Sequence, residues 1–239
     1  MLNKVDFFHL DSEDAKLVAF ETRKRLHINV RPLNLDCSPI NPQKPFIIYN
    51  GDGYLHHLTR RIVKELSSKR RTIQLPPFSY VHIDGHDDLD YINGDNNTFR
   101  SFVQGIMGDQ SCDGVYFLEE GLTGKRRNNP TLLTPKIELN RLDWSEDPEG
   151  VKQDEVYVSV DFDVLDKGAG IHHLFPQSPI GFDIYRLLWN LETLGQRYKF
   201  IGVDLVGFST KGTSREYLEM SLDNIALVTR SLCKVLTAS

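Results

Sequence analysis

Short apolar runs recur along this chain, and each stops on acidic residues or on a glycine and aspartate turn. Pro45-Phe46-Ile47-Ile48-Tyr49-Asn50 runs into Gly51-Asp52-Gly53, Phe78-Ser79-Tyr80-Val81-His82-Ile83 into Asp84, and Gly114-Val115-Tyr116-Phe117-Leu118 into Glu119-Glu120. Glu155-Val156-Tyr157-Val158-Ser159-Val160 likewise ends on Asp161, and Tyr198-Lys199-Phe200-Ile201-Gly202-Val203 on Asp204. Runs of this kind suit strands buried on both faces, and helical spacing separates several of them: Leu55, Leu58, Ile62 and Leu66, then Ile184, Leu187, Leu188, Leu191 and Leu194. A long amphipathic helix follows from Ser214, carried by Leu218, Leu222, Ile225 and Leu232. The alternation predicts an α/β fold with a mainly parallel sheet from about residue 45 to the end. Residues 1–44 and roughly 121–153 fit neither period and read as excursions.

The chain has 239 residues, which fits a single domain, and 28 Lys+Arg against 33 Asp+Glu give a net charge of -5. That balance argues against a general nucleic-acid binder, because neutralising phosphates takes a basic surface. No segment approaches the apolar length of a membrane span and the N-terminus does not read as a signal peptide, so the expectation is a soluble, cytoplasmic protein. Cys37, Cys112 and Cys233 are too far apart in sequence for a CxxC motif and read as reduced packing thiols.

Asp84-Gly85-His86-Asp87-Asp88 sets three potential ligands at alternate positions where a strand meets its loop, and Asp161-Phe162-Asp163 repeats the arrangement at another strand end. Aspartates at such places also serve as turn and cap residues. Two clusters of the same parity, one with an imidazole, point instead to cations, because carboxylates converging on one edge of a parallel sheet repel each other unless neutralised. Carboxylate and imidazole donors suit manganese or a similar divalent ion.

These segments resemble the ureohydrolase, or arginase-like, superfamily. Asp84-Gly85-His86-Asp87-Asp88 is similar to its DAHxD ligand motif, Ser159 to Asp166 to its SxDxDxLDP motif, and Val203-Asp204-Leu205-Val206 to the strand that usually reads DxVE. The resemblance runs over roughly residues 45 to 236. It implies a three-layer α/β/α fold and two Mn(II) ions that activate water for attack on a guanidinium carbon. Carried over residue by residue, Asp84 and Asp161 bridge the ions, Asp88 completes one, and His86 with Asp163 completes the other. Asp163 or Asp88 would also accept a hydrogen bond from the attacking water.

The chain departs from the family pattern in three places. Where the family has a ligand histidine in a GGDH turn, Asn50-Gly51-Asp52-Gly53 ends in glycine; His56, nearer the apolar helix face, or His57 stands as the replacement. Where DxVE supplies a glutamate to the substrate guanidinium, Gly207 stands, leaving Glu119 and Glu120 as candidate partners for that planar cation. The loop after Asp88, where arginases place a shuttling histidine and polar substrate contacts, has no histidine; Asn97 is its polar candidate, and His172 or His173 the candidate general acid.

Loss of the free-amino-acid grip on a short arginase-like chain is similar to the peptide arginases, which convert arginine side chains of ribosomally made precursor peptides to ornithine with release of urea. That resemblance implies an arginine-containing peptide as partner, with residues 1–44 as a docking element or a sheet edge, and leaves a homo-oligomer open. The alternatives are a small-molecule ureohydrolase acting on agmatine, a guanidino acid or a formimino compound, and a non-catalytic peptide-binding module.

Overall fold

A computed structural model describes residues 4–36, 39–86, 98, 101–108, 111–118, 139–141, 153–166, 168–173 and 182–238. In chain order the elements are β1 (Asp6–His9), α1 (Glu13–Leu26), β2 (Val30–Pro32), β3 (Phe46–Gly51), α2 (Leu58–Thr72), β4 (Ser79–Ile83) and α3 (Phe102–Gly108). They continue with β5 (Val115–Leu118), β6 (Leu139–Arg141), β7 (Glu155–Asp161), α4 (Ile184–Arg197), β8 (Lys199–Val206) and α5 (Arg215–Ala238). The strands form one sheet of eight in the order β2-β1-β3-β8-β7-β4-β5-β6, and every pairing within it is parallel. All strand C-termini therefore open on one edge, as the sequence pattern predicts, and the chain is a three-layer α/β/α structure.

Alternate strand residues divide the core between two helical layers. Ile47, Tyr49, Val81, Ile83, Val158, Val160, Val203 and Leu205 pack with α1, α4 and α5. On the opposite face Phe46, Ile48, Tyr80 and Tyr157 pack with Ile62, Val63 and Leu66 of α2 and with Phe102, Val103 and Ile106 of α3. That second face turns polar toward the C-terminal edge. Strand register sets Ile48, Asp204, Ser159 and His82 side by side across β3, β8, β7 and β4, one layer below Asp161 and Asp84.

Residues 1–44 are not an excursion. Within them β1 pairs with β3, β2 pairs with β1, and α1 covers the strands, so the segment completes the sheet edge. Its strands of 4 and 3 residues are too short to show a period, and the buried positions of α1 include the polar Asp14 and Thr22, the latter set among the charged Glu21, Arg23, Lys24 and Arg25. Ser12 caps α1 by accepting from the Ala15 amide at 3.1 Å, and Asp14 accepts from the Thr210 amide at 3.0 Å, which braces the loop after β8. Likewise β6 falls inside the stretch 121–153, whose sequence shows neither period. Cys112 and Cys233 are free thiols, and Cys37 lies outside the described residues. Among the described residues no helix is long and apolar enough to cross a membrane.

Candidate metal centre

The C-terminal ends of β4 and β7 bring Asp84, His86, Asp161 and Asp163 together. Each of the three carboxylates has one oxygen held by a backbone amide. Asp84 Oδ1 accepts from the His86 amide at 2.7 Å, Asp161 Oδ1 from the Asp163 amide at 3.0 Å, and Asp163 Oδ1 from the Gly85 amide at 2.9 Å. The aspartates thus do act as turn residues, and those same turns aim their second oxygens at imidazoles. Asp84 Oδ2 and Asp161 Oδ2 lie 3.3 and 3.2 Å from His56 Nδ1, and Asp163 Oδ2 lies 2.7 Å from His86 Nδ1.

His56 comes from the 3-10 turn Gly53–Leu55, which Asp52 caps by accepting from the Tyr54 amide at 3.2 Å. The turn delivers the imidazole into the sheet edge from the start of α2, where it is 1% exposed. Its Nε2 meets Ser159 Oγ at 2.9 Å, and its ring lies against His82 and Phe102, with centroids 5.3 and 4.5 Å away. Behind Ser159, Asp204 Oδ2 accepts from Thr59 Oγ1 at 2.6 Å and from Asn50 Nδ2 at 3.4 Å. His57 instead faces outward, its Nδ1 2.9 Å from the Tyr54 carbonyl. Of the two candidate replacements, the structure brings His56 to the cluster and leaves His57 outside it.

His82, inside the apolar run of β4, does not stand out in the sequence as a site residue. It is fully buried, its Nε2 lies 3.2 Å from Asp84 Oδ2, and its Nδ1 lies 3.1 Å from the Tyr80 hydroxyl. Period two was the available signal, since His82 and Asp84 share a face of β4.

His172 and His173 lie beside the loop that follows β8, where the Ser209 amide donates to the His172 carbonyl at 3.0 Å. His172 Nε2 sits 2.7 Å from the Lys211 carbonyl, and His173 is buried. Asp88, Asn97, Glu119 and Glu120 lie outside the described residues.

The donors form two groups that share Asp84: His56, His82 and Asp84, then Asp84, His86 and Asp163. Within the groups the imidazole–carboxylate separations run from 2.7 to 3.5 Å, and all donor atoms of a group lie within 4.8 Å of one another. Adjacent ligand atoms on one octahedral ion, with bonds of about 2.1 Å, stand about 3 Å apart, so the donor set fits a divalent cation. A further sign is Asp84 Oδ2, a buried carboxylate oxygen on which no hydrogen-bond donor is aligned.

Electrostatics agree with that fit. Burial pushes the Asp163 carboxyl well up, and the charges of Asp161 and Asp84 add to it. Contact with Asp163 and then Asp84 pushes the half-exposed His86 imidazole up to about 11. Burial also drives Asp84 upward, but the imidazoles of His82, His56 and His86 outweigh it and hold that carboxyl well below the usual range. Burial raises Asp204 too, partly offset by His56 and by the hydroxyls of Thr59, Tyr157 and Ser159.

Without ions, then, the Asp163 and His86 pair keeps a proton at neutral pH that a cation must displace. Metal uptake at pH 7 is expected to release about one proton, and Mn(II) affinity to weaken as pH falls. Titration calorimetry in buffers of different ionisation enthalpy measures this, and identical apparent enthalpies would count against it. In the same titration His56→Ala should lower the number of bound Mn(II) ions or weaken one by tenfold or more, roughly, while His57→Ala changes neither.

No protein-family model matches the chain, and no curated protein does either. Solved structures match over nearly all of it. Formimidoylglutamase from Bacillus subtilis subsp. subtilis str. 168 superimposes with a TM-score of 0.72 at 14% identity, over 98% of this chain and 87% of that one. Proclavaminate amidino hydrolase from Streptomyces clavuligerus gives 0.68 at 17% identity, over 98% and 91%. Arginase from Bacillus cereus gives 0.65 at 10% identity, over 98% of each chain. At these identities the likeness establishes the fold, which is arginase-like.

Proposed function

We propose that this chain is a metal-dependent amidinohydrolase of the ureohydrolase type, that it holds two Mn(II) ions, and that it converts peptide-bound arginine to ornithine with release of urea. The observation that carries the hydrolase reading is the pair of donor groups sharing Asp84 at the C-terminal edge of the sheet. Ions held there would supply the positive charge that makes water nucleophilic at neutral pH.

The chain's own residues do the rest. Asp163, steadied by the Gly85 amide, or Asp88 accepts a hydrogen bond from the attacking water. The water oxygen bonds to the guanidinium carbon, the bond from that carbon to the side-chain nitrogen breaks, and the departing amine takes a proton. His172 and His173, on the segment joined to the loop after Gly207, are the candidate donors of that proton. Glu119 or Glu120 seats the guanidinium.

Peptide-bound arginine is favoured over free arginine by Gly207, which leaves no carboxylate where the DxVE pattern puts one. A small free guanidino or formimino compound is the second reading, favoured by the likeness to formimidoylglutamase and proclavaminate amidino hydrolase.

The deciding experiment incubates Mn(II)-loaded protein with an arginine-containing peptide, free arginine, agmatine and formiminoglutamate, following urea, formamide and peptide mass. Urea with a loss of about 42 Da from the peptide alone supports peptide arginase activity. Product from a free compound alone moves the assignment to the small-molecule reading, and no product from any substrate overturns both.

A further inference from the structure

We propose that His82 is a metal ligand, so that the inner of the two ions is held by two imidazoles, His56 and His82, together with the carboxylates of Asp84 and Asp161. The inference rests on the metal-centre part of the proposed function and not on its chemistry. It deepens that reading, because neither DAHxD nor SxDxDxLDP assigns a ligand at the position of His82.

In β4 the sequence Tyr80-Val81-His82-Ile83-Asp84 places Tyr80, His82 and Asp84 on one face. In the neighbouring β7, Tyr157-Val158-Ser159-Val160-Asp161 does the same with Ser159 in register with His82. One position thus holds an imidazole in one strand and a small hydroxyl in the other. The space above Ser159 admits the His56 ring, which stacks on His82 at an interplanar angle of 24°.

The two imidazoles have equivalent surroundings. Each turns one nitrogen to Asp84 Oδ2, at 3.3 Å for His56 Nδ1 and 3.2 Å for His82 Nε2. Each has a hydroxyl at its other nitrogen, Ser159 Oγ at 2.9 Å and Tyr80 Oη at 3.1 Å. A ligating histidine characteristically donates its distal N–H to an outer partner, which fixes the tautomer and turns the lone pair of the other nitrogen to the ion. Asp161 Oδ2, 3.2 Å from His56 Nδ1, supplies the fourth donor.

Both imidazoles and both carboxylates are at least 97% buried, whereas the His86 side chain on the other group is 54% exposed. The inner site is therefore imidazole-rich and shielded, and the outer one oxygen-rich and open. Imidazole donors raise affinity for the later transition metals, so Co(II) or Zn(II) should fill the inner site first.

Proton NMR of the Co(II)-loaded protein counts ligating histidines through their exchangeable, paramagnetically shifted imidazole N–H resonances. His82→Gln is expected to remove one such resonance and to weaken the tighter Co(II) affinity by about tenfold or more, while His57→Gln removes none. An unchanged set of resonances and unchanged tight affinity in His82→Gln overturn the proposal while leaving the metal centre intact. If His82→Gln does not fold, anomalous diffraction from Mn(II)-loaded wild-type crystals decides: an ion bonded to His82 Nε2 supports the assignment, and an ion out of its reach overturns it. A wild-type protein that binds no ion overturns the centre and the proposed function with it.

Discussion

Stripping divalent ions from the protein is expected to lower its melting temperature by roughly 10 °C or more, and adding Mn(II) to restore it. Asp84, Asp161 and Asp163 are each no more than 3% exposed and converge on one point. An ion that binds only the folded chain stabilises it by about 4 kcal/mol at a thousandfold excess over its dissociation constant, and each kcal/mol moves the midpoint of a domain this size by about 2–4 °C. The effect should shrink in Asp163→Asn. Burial and two neighbouring carboxylates hold the Asp163 carboxyl well above its ordinary range, so its ionised form opposes folding at neutral pH. An amide in its place keeps the oxygen that accepts from the Gly85 amide. Metal-free Asp163→Asn should therefore melt at or above metal-free wild type, yet gain less from Mn(II). Thermal unfolding of both proteins with and without Mn(II) reads this directly. A wild-type midpoint indifferent to chelator and to Mn(II) would argue that the cluster is structural.

How much of this was legible in the sequence follows from strand length and period. The segment Glu155–Asp161 reads as a strand to the residue, because seven consecutive positions are buried or nearly so and an aspartate ends them. Strands β1, β2 and β6 have 4, 3 and 3 residues, too few for a two-residue period to rise above chance. Their positions are set by pairing, of β1 with β3, of β2 with β1 and of β6 with β5, which is non-local information.

The site divides the same way. Asp84, His86, Asp161 and Asp163 stand at strand ends where the pattern breaks, and the structure brings them together. Of His56 and His57, the one nearer the apolar helix face is the one that the 3-10 turn Gly53–Leu55 delivers to the cluster. His82 sits within an apolar run and reads as core until its shared face with Asp84 is noticed. The order Tyr-Val-His-Ile-Asp in β4 against Tyr-Val-Ser-Val-Asp in β7 carries that message, because side-chain parity is the one tertiary fact a strand sequence states.

Writing the DxVE glutamate back into the chain, as Gly207→Glu, is expected to abolish metal binding at the inner site and to create no arginase activity. Gly207 has a φ of +93°, and an added Cβ would stand 2.1 Å from Asp161 Oδ1 and 3.0 Å from the Phe162 amide nitrogen. The backbone has little freedom to withdraw, because the Gly207 amide donates to the Gly51 carbonyl at 2.8 Å and so continues the pairing of β8 with β3. The left-handed conformation alone costs an L-residue about 1–2 kcal/mol, and relieving the contact means moving a carboxylate that faces His56. Gly207→Ala tests the backbone and contact effects without the new charge, and should weaken Mn(II) binding by tenfold or more, roughly. Gly212→Ala is the control: its φ of +73° carries the same conformational penalty, but nothing lies within 4 Å of the added Cβ. It should lower stability by about 1 kcal/mol and leave metal affinity unchanged. Should Gly207→Glu bind Mn(II) normally and release urea from free arginine, the close packing of Asp161 on this glycine would not be what bars the small substrate. Loss of metal in both Gly207 variants, with the control intact, would mean that one glycine lets Asp161 reach the cluster and excludes the side chain that grips a free guanidino compound, so the guanidinium partner has to come from another strand end.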